Sequence, residues 1–227
     1  QLGGVWGYGG DFSDIDLTAQ GVVTTPAPVV ADQDDGSETD PVTFKSISAS
    51  AGRRLLVGAR EDGELTIQEG LYQASGSQPA AILNRGLMTL GQADVDGAGS
   101  STYTGATVLM KGSTLTTLSQ DAISPQSPTL VSGVLQIGDP SSGSVQQDFA
   151  RRLLVSQTGA IQNGDLSVTS FTNAGTVEID SLRVNNGMTR LLDRLNAQQA
   201  IDSGSRLFDL KAQGSLKNLG GSLSIAG

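Results

Sequence analysis

The chain has 227 residues, of which 4% are aromatic and 16% charged. It contains no Cys and no His, which excludes disulfides, thiolate chemistry and the imidazole roles of general base, zinc ligand and pH switch. Its net charge of −9 argues against binding nucleic acid through phosphate contacts.

The acidity is concentrated at one end. Residues 1–44 hold eight acids and no base, whereas residues 45–227 hold fifteen acids and fourteen bases. Three segments follow from this asymmetry. Residues 1–23 read as an N-terminal attachment arm, with Trp6, Tyr8 and Phe12 among closely spaced glycines as its partner-binding residues. A terminal strand packed on its own body is the competing reading. Residues 24–44 read as an acidic linker containing Pro26, Pro28 and Pro41. The acidic runs Asp32–Gly36 and Asp94–Gly97 lack the spacing of a calcium loop, so no metal or cofactor is expected.

Residues 45–227 read as a β-rich body. A short unit recurs in which Gly precedes alternating apolar and polar residues. It stands at Gly63-Glu64-Leu65-Thr66-Ile67, Gly133-Val134-Leu135-Gln136-Ile137, Gly164-Asp165-Leu166-Ser167-Val168, Gly175-Thr176-Val177-Glu178-Ile179 and Gly221-Ser222-Leu223-Ser224-Ile225. Close relatives begin at Gly159 and Gly214. Each is a turn glycine followed by a strand with one buried face. The fold class is therefore all-β, with many short strands in a β-sandwich, a β-prism or an irregular β-solenoid. A longer likeness links Arg151–Val168 to Arg206–Ile225, with an earlier copy starting at Arg53. One supersecondary unit used two or three times, or chance similarity among Gly-rich strands, accounts for it. The pairs Arg53-Arg54 and Arg151-Arg152 each precede an apolar triplet. They read as solvated charges guarding a strand edge, or as partners of the acidic arm in another subunit.

One segment breaks the pattern. Met188–Ile201 has apolar residues at helical spacing and predicts one short helix near 187–202, with Gly204 beyond its end. A shorter helical turn is read around Pro79–Leu83. No apolar run reaches the ~18 residues that span a bilayer as a helix. The chain begins at Gln1, in keeping with loss of a leader or with numbering from a later residue.

The run Gly159–Gly187, with Ile161, Leu166, Val168, Phe171, Val177, Ile179, Leu182 and Val184 as its apolar ladder, resembles the rungs of β-helical adhesins and phage spikes. The layout also resembles phage virion fibres, spikes and capsid-decoration proteins, in which a short N-terminal segment anchors a projecting β body. The resemblance implies a structural virion protein attached through its arm; the alternative is a secreted bacterial adhesin or extracellular filament subunit. Both place the chain on a virion or outside the cell, as a non-enzyme without catalytic residues. Its expected partners are copies of itself, most simply as a trimer, and other virion or filament subunits. A secreted carbohydrate-active enzyme is a third class and requires paired carboxylates in a groove.

Overall fold

The computed structural model describes residues 10–25, 41–74, 76, 78–92, 100–139, 145–187, 208–212, 215–218 and 222–225. In chain order the strands are β1 (Gly10–Ala19), β2 (Gly21–Thr24), β3 (Val42–Ala49), β4 (Leu55–Gly58), β5 (Glu64–Gln73), β6 (Ala80–Asn84), β7 (Leu87–Leu90), β8 (Thr107–Leu109), β9 (Thr114–Thr117), β10 (Thr129–Val131), β11 (Val134–Ile137), β12 (Gln146–Val155), β13 (Ala160–Gln162), β14 (Asp165–Asn173), β15 (Thr176–Ile179), β16 (Ser181–Gly187), β17 (Phe208–Ala212), β18 (Ser215–Asn218) and β19 (Ser222–Ile225). The described residues contain no helix.

The strands form two parallel sheets. The first runs β1-β3-β5-β7-β9-β11-β13-β15-β19 and the second β17-β16-β14-β12-β10-β8-β6-β4-β2, with β18 also on β14. Up to β16 the chain alternates between sheets, so each circuit lays one strand on each and the path is a coil. Leu65, Met88, Leu115, Leu135, Ile161 and Val177 are paired in succession along the first sheet, although 16 to 27 residues separate them in sequence. The coil keeps its register while its turns differ in length, because surplus residues leave at the corners.

A narrow third side closes each turn. The second half of β5 is continued by Thr102 N–H to the Leu71 carbonyl (3.1 Å), Ser101 N–H to the Asp121 carbonyl (3.0 Å) and Asp121 N–H to the Gln146 carbonyl (3.3 Å). These bonds lead from the first sheet into the start of β12, which belongs to the second.

The recurring Gly-led unit has a steric cause. Gly63, Gly86, Gly133, Gly159 and Gly175 stand at the corner where the chain returns from the second sheet to the first. Successive turns are hydrogen-bonded there, as in Ala160 N–H to the Gly133 carbonyl (2.8 Å) and Thr176 N–H to the Gly159 carbonyl (3.0 Å). A Cβ on Gly159 would overlap the Val131 carbonyl, and one on Gly175 the carbonyls of Gly159 and Ser156. At these turns the glycine leaves little room for a side chain. Ser113 holds the equivalent place before β9, buried, with its hydroxyl donating to the Met110 carbonyl (2.8 Å), and the Thr25 side chain lies against Gly63. Gly164 marks a different corner, between β13 and β14, where Asn163 and Gly164 both have positive φ (59° and 69°).

Inside the coil, like residues stack on like. Leu65, Leu115, Leu135, Ile161 and Val177 line the first sheet, and Val57, Ile82, Leu153 and Phe171 the second; all are at most 1% exposed. Buried polar groups satisfy the corners. Asn84 accepts from Ala59 N–H (3.2 Å) and donates to the carbonyls of Gly86 (3.0 Å) and Thr114 (2.8 Å), tying three turns together. Gln147 donates to the Ile123 carbonyl (2.8 Å) and accepts from its N–H (3.0 Å).

Several sequence expectations meet a different structure. Residues around Pro79–Leu83 form strand β6 rather than a helical turn, because Ala80 and Ile82 alternate inward at period two. The helix predicted near 187–202 lies outside the described residues except for Gly187, the last residue of β16. The boundary at 44/45 falls inside β3, and residues 10–24 pair with β3 and β4. Leu17, Ala19 and Val23 face inward while the acids of β1 face water, so acidity there marks a solvated strand face. The two likened segments are not equivalent in space: Ile161 pairs with Val177 in the first sheet, and its sequence counterpart Leu216 pairs with Phe171 in the second.

Tyr103 offers a test of the interior. Its hydroxyl lies 2.6 Å from Thr107 Oγ1, which lies 2.8 Å from Ser127 Oγ, and Ser127 donates to the Gly105 carbonyl (2.8 Å). Burial pushes the Tyr103 phenol far above its usual range. A raised folded value means that stability is full below the ordinary tyrosine value of ~10 and is lost as pH climbs from there. Tyr103→Phe should cost about 1–2 kcal/mol at neutral pH and should remove part of the alkaline decline in denaturant-melt stability.

Candidate interaction surface

Of the three residues expected to bind a partner, Trp6 and Tyr8 lie outside the described residues. Phe12 is on β1, half-buried, with its ring stacked on Phe44 at a centroid distance of 5.4 Å and an interplanar angle of 15°. Phe44 is itself buried, so Phe12 extends the column of inward-facing side chains by one turn.

Both acidic runs considered for calcium, Asp32–Gly36 and Asp94–Gly97, lie wholly outside the described residues. Among the described residues no three acids stand together as metal ligands would. Arg53 and Arg54 precede β4 and are exposed, with Arg54 Nε donating to Gln78 Oε1 (3.0 Å). Arg151 and Arg152 are exposed where β12 passes a shift of register. Neither pair makes an ion pair with an acid among the described residues.

The outer faces of the two sheets differ in chemistry. Along the first, Asp11, Thr43, Thr66, Thr89, Thr116, Gln136, Gln162, Glu178 and Ser224 are paired in one continuous row. This row is polar, and threonine suits a pleated, half-exposed surface. Along the second sheet, Leu83, Val108, Leu130 and Leu154 are paired in a row and are only half-buried, giving an apolar stripe parallel to the coil axis. Charge divides the same way. Strands of the first sheet carry Asp11, Asp14, Asp16, Glu64, Glu69 and Glu178 against Lys45 alone; β12, β14 and β16 of the second carry Asp148 and Asp165 against Arg151, Arg152 and Arg183.

The acids and the base of the first sheet meet on its early turns. Lys45 Nζ lies 3.4 Å from Asp16 Oδ2 and 3.7 Å from Glu69 Oε1. The Ser46 hydroxyl donates to Asp16 Oδ1 (2.6 Å). That bond first, with help from Lys45, lowers the Asp16 carboxyl below its usual range, and Asp16 in turn raises Lys45. Asp16 is exposed and Lys45 and Glu69 are half-buried, so the ion pairs are open to solvent and shape the local field more than the fold.

The apolar stripe had a signal in the sequence. Strands with one buried face alternate, whereas Leu55-Leu56-Val57, Leu130-Val131 and Leu153-Leu154-Val155 place apolar residues side by side. Consecutive apolar residues put one side chain on each face, and a strand apolar on both faces reads as one covered on both. Comparison of the chain with protein-family models, with curated proteins and with solved structures gave no match.

The Phe12 stack gives a clear expectation. Phe12→Ala should lower unfolding stability by about 1–3 kcal/mol, as loss of an aromatic packed within its own chain does. An unchanged denaturation midpoint would contradict this packing role and leave Phe12 as a residue for contact with a partner.

Proposed function

We propose that the chain is a structural subunit of a surface assembly and serves as a stiff, non-catalytic shaft: a phage spike, fibre or capsid-decoration subunit on a virion. The observation that carries this reading is the first sheet, nine parallel strands in unbroken succession. At ~4.8 Å per strand this ladder is about 38 Å long, and every turn is hydrogen-bonded to the next. A protein so built resists bending and presents a long side wall, which suits a projecting body. The irregular β-solenoid is the architecture this reading takes.

A secreted bacterial adhesin or extracellular filament subunit is the second reading. It is favoured by a core that closes within one chain: Leu65, Leu115, Leu135, Ile161 and Val177 are fully buried without any partner. Both readings put the chain on a virion or outside the cell, associated with copies of itself, with a trimer as the simplest closed form. Trp6 and Tyr8 would make the attachment, since large amphipathic rings dominate such contacts.

Because β1 and β2 are paired into the coil, the informative truncation removes only residues 1–9. The shortened protein should keep its melting temperature and circular dichroism, and should be missing from the particle or filament when the native assembly is imaged by negative stain. Incorporation at the normal level would contradict attachment through this arm. A native assembly that contains no copy of the chain would contradict the structural role itself.

A further inference from the structure

We infer that the first turns of the coil carry a complementary pair of surfaces through which one copy docks against the next: an acidic knob around Ile15 and a groove floored by Val22, Leu56 and Leu83 and rimmed by Arg60 and Arg85. This deepens the proposed structural role and rests on its premise that copies associate.

The knob arises from register. Phe12 pairs with Phe44 and Asp16 with Ser46, so Ser13, Asp14 and Ile15 on β1 face a single residue, Lys45, on β3. Two surplus residues must bulge from the strand, and bulges re-aim side chains. Ile15 is 47% exposed between two exposed acids, Asp14 and Asp16. Asp16 is engaged by Ser46 and Lys45, and Asp14 projects from the bulge beside Ile15.

The groove lies over the first strands of the second sheet, β2, β4 and β6. At Gly58 a Cβ would overlap the Leu83 carbonyl, so β4 and β6 approach closely beneath it. Val22, Leu56 and Leu83 line the groove, and Val22 is 49% exposed. Arg60 and Arg85 line it from the same corner on successive turns, linked by Arg85 N–H to the Ala59 carbonyl (2.9 Å). Neither guanidinium has an ion-pair partner among the described residues. Glu61 and Asp62 follow Arg60 in the turn but do not line the groove.

An apolar floor with two cations at its rim fits an exposed apolar side chain flanked by carboxylates, and the chain displays such a group on itself. Knob and groove both sit on the earliest turns, since β1 and β2 begin the two sheets together. Two copies can therefore engage at the same height with their coil axes parallel. The contact then continues down the apolar stripe from Leu83 to Leu154. The two surfaces are different, so the contact is head-to-tail around an axis, and such contacts close into rings. Opposite charge on the two sides fixes the orientation and speeds the encounter.

The lack of cysteine makes the test clean. Single variants Ile15→Cys and Val22→Cys, mixed in equal amounts and mildly oxidised, should give a disulfide-linked pair in excess of either variant alone. Arg60→Glu with Arg85→Glu should weaken self-association in sedimentation by at least ~tenfold, and adding Asp14→Lys should recover part of the loss. All these positions are exposed or line the groove, and circular dichroism should confirm an unchanged fold in each variant. If copies associate yet the crosslink fails and the arginine variant associates normally, the docking surfaces are wrong and the oligomeric reading stands. If the unmodified protein stays monomeric at its highest soluble concentration, both fall.

Discussion

Everything in this structure depends on how closely one turn of backbone can lie on the next at the corner between the sheets. Gly63, Gly86, Gly133, Gly159 and Gly175 occupy that corner, and at each a Cβ would run into atoms of the preceding turns. Close approach there keeps the turns in register. Register lets Leu65, Met88, Leu115, Leu135, Ile161 and Val177 stack in one column although the spacing between them varies widely. Asn84 performs the complementary task by supplying hydrogen bonds where the turning backbone would otherwise leave groups unpaired.

This arrangement separates the work of inside and outside. Because the interior is filled by the chain's own side chains, the outer faces are free to differ. The first sheet shows threonine, glutamine and acids; the second shows an apolar stripe and most of the strand arginines. A scaffold with unlike faces is suited to lie between neighbours, and that suitability underlies both the proposed shaft and the proposed docking of copies. Irregularity serves the same end. The surplus residues at Ile15 are a departure from the repeat that alters the surface without breaking the ladder beneath it.

Much of the architecture was legible in the sequence, and for identifiable reasons. The unit Gly-x-apolar-x-apolar reports both the corner and the strand after it, so Gly63, Gly133, Gly159 and Gly175 mark true strand starts. Parallel pairing was not legible, because period-two alternation is the same in hairpins and coils. Gly86 escaped notice because Leu87, which follows it, is an exposed apolar residue that blurs the pattern. Composition did not reveal that β1 pairs with β3: its acids sit on a solvated face whose inward residues, Leu17 and Ala19, are buried. Of the expected contact residues, Phe12 could not be told from a core aromatic, since its partner Phe44 lies 32 positions away in sequence. The docking surfaces were invisible for a related reason. They depend on a bulge and on side chains brought together from successive turns, and neither has a local signature.

Contact between turns, rather than backbone conformation, sets the glycines of the corner, and a pair of substitutions separates the two causes. Gly159→Ala places a methyl group against the Val131 carbonyl, whereas Gly112→Ala adds one where nothing lies within 4 Å, at a positive φ of 86°. Unfolding in urea should show Gly159→Ala destabilised by about 2–4 kcal/mol, and Gly112→Ala by no more than the ~1 kcal/mol that a strained φ costs. Equal losses at the two positions would mean that conformational strain, not the contact between turns, explains the glycines, and the coil would need another source of register.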